Sequence, residues 1–153
     1  MKPVDWGKLA AISEVFGTIA VVISLVFVGV SIRQNTAVVQ AEQQNLLYEL
    51  TDSILSDIVN NPDLYEIQAK GSDRASLTET ERSRLYDFTY RSVNVWENAF
   101  FKYQDGLLTK TQFDSWNEAN KLWIECCVPR WLWDEMKDRN FHPSFVDFVD
   151  ALY

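Results

Sequence analysis

Histidine is nearly absent from this chain: His142 is the only one in 153 residues, which leaves no zinc-ligand cluster beyond Cys126, Cys127 and one imidazole. No phosphate loop, glycine-rich dinucleotide turn or nucleophile elbow occurs either, so the sequence offers none of the usual frames for nucleotide or acyl-transfer chemistry. Basic residues are missing where a polyanion would need them. From Gln34 to Ala69 there is no Lys or Arg, and 22 Asp+Glu outweigh 14 Lys+Arg over the chain. Nucleic acid is held by a basic face that releases counterions, so it is not an expected partner. The same gap argues against a polybasic grip on anionic lipid. The two cysteines are adjacent and can join only through an uncommon small ring, so they supply neither a disulfide framework nor a mark of redox compartment. A Cys-His nucleophile has no support from the spacing, and a cysteine near a helix C-terminus gains no thiolate stabilisation from the helix dipole.

Charge is also missing from Val15 to Ile32, and this absence is the most informative one. With Leu9 to Ser13 in front, interrupted only by Glu14, the apolar stretch reaches the length of about 20 residues that a helix needs to cross a bilayer. A cleaved signal is the rival reading, but its apolar region is usually about 7–15 residues with a small-x-small site close behind. The nearest such site, Val39-Gln40-Ala41, lies well past the run and beyond Arg33. The sequence therefore divides into an N-terminal flank (1–8), a transmembrane helix (9–32) and a soluble domain (33–153) large enough for one core. Lys2, Lys8 and the amino terminus precede the span and Arg33 follows it, so the positive-inside count favours, narrowly, a non-cytoplasmic domain.

Helical periodicity prevails along the whole domain, and the expected fold is all-α: one N-terminal transmembrane helix continuing into a bundle of four to five helices. Glycine and proline are missing between Val30 and Asn61, so the span is expected to run on without a break, with Val39, Leu46, Leu47, Leu50, Ile54 and Ile58 as its buried stripe. Asn61-Pro62 predicts a stop and a short helix, Pro62 to Lys70, capped by Asn61, with Gly71 just past its end. Thr78 and Glu81 have capping-box spacing before a helix reaching about Gln104, with Asp105-Gly106 as its stop. Thr109 and Gln112 repeat the box, Pro129 ends or kinks the helix that follows, and Pro143 opens a terminal one.

Several blocks together resemble a family: Ser31-Ile32-Arg33-Gln34-Asn35-Thr36, Leu77-Thr78 with Glu81-Arg82, Arg91, Trp96-Glu97-Asn98-Ala99-Phe100-Phe101 with Gly106, Trp131 and Trp133, and Phe141-His142-Pro143-Ser144-Phe145. The chain is similar over nearly its whole length to a widespread, uncharacterised family of small bacterial membrane proteins with one N-terminal span and a helical domain. The resemblance implies a bacterial inner (cytoplasmic) membrane setting and a similar fold, and it implies no activity. Ala37-Val38 departs from the family pattern, where relatives often place further basic residues.

The candidate functional residues are few. Ser13, Gly17, Ala20, Ser24 and Ser31 fall on one stripe of the span, where small side chains let helices approach closely in lipid. Glu14 is read as a headgroup-level residue at the start of the span, and Trp6 as an interface anchor. Trp96, Trp116 and Trp123 either pack as core or line an apolar pocket, and Trp131-Leu132-Trp133 is the best candidate for exposed aromatics. Arg84, Asp87, Arg91 and Glu97 offer at most a polar site. No catalytic, metal or cofactor residues are assigned. The expected function is a non-enzymatic, membrane-anchored interaction protein, forming a homo-oligomer or serving a larger membrane-protein complex; the alternative is a lipid or apolar-ligand binding module or enzyme with a Trp-lined pocket.

Overall fold

The computed structural model describes residues 6–152, with the backbone alone for Trp6 and residues 8–12. The described residues form six α-helices and no strand: α1 (Trp6–Asn60), α2 (Asp63–Lys70), α3 (Glu79–Gln104), α4 (Lys110–Cys127), α5 (Arg130–Asn140) and α6 (Pro143–Asp150), with a 3₁₀ turn at Arg74–Ser76. The fold is all-α, and the long apolar helix continues into a domain of five further helices. The chain divides into two units, Met1–Val39 and Gln40–Tyr153. The expected anchoring role of Trp6 falls on a side chain outside the description.

In the first unit, α1 is uninterrupted because nothing after Gly29 breaks it and Gly17 and Gly29 sit within a run of apolar residues. Every residue from Ser13 to Val38 is exposed. This is the one described helix long and apolar enough to cross a membrane.

In the second unit, local chemistry sets most of the boundaries. Thr78 Oγ1 accepts from the Glu81 N–H at 3.2 Å while Glu81 Oε2 accepts from the Thr78 N–H at 2.9 Å, closing the expected capping box on α3. Thr109 and Gln112 do the same for α4 at 3.3 and 2.8 Å. Gly106, at φ +73°, makes the left-handed turn after α3 that an L side chain resists. Pro129 ends α4, and α5 begins at once as a separate helix. His142 caps α6, its Nδ1 accepting from the Ser144 N–H at 3.2 Å, with Pro143 at the first helical position.

Two expectations need correction here. Asn61 does not cap α2: its Nδ2 donates to the Asp57 carbonyl at 2.8 Å, one turn back, so its side chain closes α1, and Pro62 stands at the head of α2 without a side-chain cap. Leu46 and Leu50 are exposed, whereas Leu47 is fully buried and Ile54 nearly so. The inward face of α1 is polar near its start in this unit, because Gln40 Nε2 donates to the Gly106 carbonyl at 3.0 Å and Gln43 bonds Lys102. Leu46 and Leu50 lie to the side of the face that carries Leu47 and Ile54.

The core gathers between α3 and its neighbours α2 and α4, and between α5 and α6. Leu85, Val93 and Trp96 of α3, Ile124 of α4, Leu132, Trp133 and Met136 of α5, and Phe145 and Val149 of α6 are all fully buried.

Candidate functional site: the exposed span and the aromatic domain

On a helix turning about 100° per residue, Ser13, Gly17, Ala20, Ser24 and Ser31 fall within a band of roughly 60°. All five are exposed, and a Cβ built on Gly17 meets nothing within 4 Å. Glu14 is exposed beside the band, and its carbonyl accepts from Thr18 Oγ1 at 2.9 Å. The Thr18 hydroxyl is thus satisfied within its own helix, as is that of Thr36, which donates to the Ile32 carbonyl at 3.0 Å. The band presents backbone to a neighbour with little side chain in the way, the arrangement that permits close helix approach in lipid.

Of the three tryptophans expected either to pack as core or to line a pocket, Trp96 belongs to the buried core cluster and Trp116 and Trp123 pack against it, each through its own ring contacts. Trp96 is fully buried and takes Phe145 and Phe148 edge-on, with ring centroids 5.5 and 5.7 Å away. Its indole Nε1 is buried without a hydrogen-bond partner. Trp116 is half-buried against Tyr48 of α1 at 5.5 Å, and Trp123 meets the edge of Phe88 at 6.4 Å. These three rings meet their neighbours at separate interhelix seams, with the tilted or edge-on geometry that rings prefer.

Trp131-Leu132-Trp133 is not an exposed aromatic patch. Trp133 is fully buried, stacked on Phe141 at 5.6 Å and donating Nε1–H to Asp150 Oδ1 at 2.8 Å. Trp131 donates to the Gly71 carbonyl at 2.9 Å beneath the Arg74 guanidinium, 5.1 Å from its ring. Residues two apart are both held because α5 has partners on two sides: α6 takes one ring and the segment after α2 takes the other.

The polar residues of α3 divide. Arg84, Asp87 and Arg91 share a cleft of ≈ 190 Å³ with Asp57, Asn61, Leu64 and Phe88. Arg84 pairs with Asp63 of α2, through Nη2 to Oδ1 at 3.1 Å and a second bond, and Arg91 pairs with Asp57 of α1. The Arg84 guanidinium holds the Asp63 carboxyl below its ordinary value. Glu97 is elsewhere, accepting from the His142 N–H at 2.7 Å and so fixing the start of α6. These pairs are exposed, and they orient helices more than they stabilise them.

Cys126 and Cys127, the last two residues of α4, are joined to each other in a disulfide. Their sequence admits this ring but gives no signal for it. They line a cleft of ≈ 580 Å³ with Tyr65, Gln68, Ala69 and Ser72 on one side and Glu125 and Val128 to Arg130 on the other. With the sulfurs bonded to one another and the imidazole of His142 capping α6, the elements of a Cys-His nucleophile are each committed elsewhere. Among the described residues no group of three or more His, Cys, Asp or Glu is placed to hold a metal ion. Comparison with known families, with curated proteins and with solved structures finds no match to this chain.

Proposed function

We propose that this chain is a single-pass, membrane-anchored interaction protein without catalysis of its own, which assembles through its span or serves as an accessory subunit of a larger complex in a bacterial inner membrane. The observation that carries the reading is the exposure of α1: every side chain from Ser13 to Val38 is uncovered, and the run is apolar from Val15 to Ile32. An apolar surface of this length has to be covered by lipid or by another protein. Among lipid tails no hydrophobic force joins helices, so association falls to close approach and hydrogen bonding, which the band from Ser13 to Ser31 favours. Tyr48, Leu55 and Val59 continue α1 as an exposed apolar strip at helical spacing outside the span. The narrow excess of positive charge before the span supports a non-cytoplasmic position for the domain.

The test is native mass spectrometry of the protein extracted from its own membrane in mild detergent. A whole multiple of 17.8 kDa supports self-assembly, and additional protein mass supports the accessory role. A bare 17.8 kDa monomer overturns both.

A further inference from the structure

We propose that the Cys126–Cys127 disulfide is a thiol-exchange site, which accepts two electrons from a dithiol reductant docked in the cleft between α2 and the α4–α5 corner. Disulfides usually stabilise by closing a loop of the unfolded chain, and the benefit shrinks with the loop. Here the sequence separation is 1, so there is no loop to constrain. These are also the only two cysteines of the chain, and no other disulfide competes for them. What is left to this bond is its chemistry, and that depends on access. Cys126 is exposed, Cys127 is half-buried, and both line the ≈ 580 Å³ cleft. Tyr65, 63% exposed, lines it, and Val128, Pro129 and Ala69 add apolar lining.

The exchange balances without any group from the protein beyond the two sulfurs. A thiolate of the reductant attacks Cys126 Sγ, the Sγ–Sγ bond breaks, and Cys127 leaves as a thiolate that takes a proton from water. The second thiol of the reductant gives its proton to solvent and attacks the mixed disulfide, releasing Cys126, which is protonated in turn. The reductant departs as a disulfide, and the pair has gained two electrons and two protons. Attack falls on Cys126 because it is the more exposed of the two residues.

The experiment treats the full-length protein in detergent, without denaturant, with dithiothreitol, followed by maleimide and intact-mass measurement. Two adducts after treatment and none before, with the bond re-forming when oxidised dithiothreitol is added, are the expected result. A bond that yields only after the domain is unfolded overturns the proposal, and so does a reduced pair that does not re-form. The variant C126S/C127S should keep the thermal midpoint of the parent, whereas a large fall would show a structural staple instead. In the single variants, Cys126 of C127S should react with oxidised glutathione several-fold faster than Cys127 of C126S, and the reverse order would overturn the assignment of the attacked sulfur.

Discussion

Gln112 Nε2 donates to Gln44 Oε1 at 2.5 Å while its own Oε1 accepts from the Thr109 N–H at 2.8 Å, so the side chain that caps α4 also ties α4 to α1. The two jobs use different atoms and can be separated. Gln112→Glu keeps an acceptor for the cap and removes the donor to Gln44, and Gln112→Ala removes both. We expect losses of about 0.5–1 kcal/mol for the first and about 1–2 kcal/mol for the second, read as chemical-denaturation midpoints of the domain. Equal losses would mean that the cap contributes nothing, and an unchanged midpoint in Gln112→Glu would mean the same of the tie to α1.

Acid should weaken the second unit. The Thr78 N–H, then the Lys70 ammonium and the Thr78 hydroxyl, hold the Glu81 carboxyl down from 4.5 to about 2. A carboxylate that titrates lower when folded than when unfolded stabilises the fold above its unfolded value, and the contribution fades as pH falls from 4.5 toward about 2. Asp63 beside Arg84 and Asp134 beside Arg130 move in the same direction. Lys70 is raised by Glu81, so its contribution is present below 10.5 and is lost in alkali. The thermal midpoint should plateau between these limits and fall on the acid side, with a shallower fall in Glu81→Gln. An equally steep fall in that variant would assign the loss to the other carboxylates.

Two glycines should fail for different reasons. Gly106→Ala meets no atom within 4 Å but forces a side chain into φ +73°, at a cost of about 1–2 kcal/mol. Gly71→Ala has an ordinary helical φ of −58°, yet its Cβ would lie 2.8 Å from Leu85 Cδ2 and 3.0 Å from the Gln68 carbonyl. Leu85 is fully buried and has little room to yield, so a loss of about 1–3 kcal/mol is expected. Thermal melts of the two variants check both, and Gly106→Asn should recover part of the first loss because asparagine tolerates the left-handed region.

In the proposed span, replacing Gly17 and Ala20 by Leu fills the narrow band with bulk while keeping the segment apolar. Membrane insertion should be unchanged, and the assembled mass should fall to 17.8 kDa. An unchanged oligomer would place the contact on another face of α1 or in the second unit.

Features encoded within a few residues were legible in the sequence. The Thr78/Glu81 and Thr109/Gln112 boxes, the stop at Gly106 and the break at Pro129 each depend on atoms less than one helical turn away, and each stands where the spacing placed it. Asn61 misled because a side chain between two helices can bond backward or forward, and here the Asp57 carbonyl was the nearer partner. Trp131 and Trp133 misled because one-stripe reasoning assumes one buried face, and α5 has two. The disulfide was hidden for another reason: adjacency permits the ring without requiring it. The stripe from Ser13 to Ser31 could be read as a pattern, but its worth depends on a partner helix that no single chain describes.

Trp96 of α3 has Phe145 and Phe148 as its ring partners, and α6 comes late in the chain. Synthesis proceeds from the other end. The apolar run of α1 is finished long before residues 143–150 are made, and until then a fully buried indole lacks part of its cover. During synthesis α3 therefore carries an uncovered indole until α6 emerges, and the closing of the ring cluster around Trp96 is a late step in the folding of this domain.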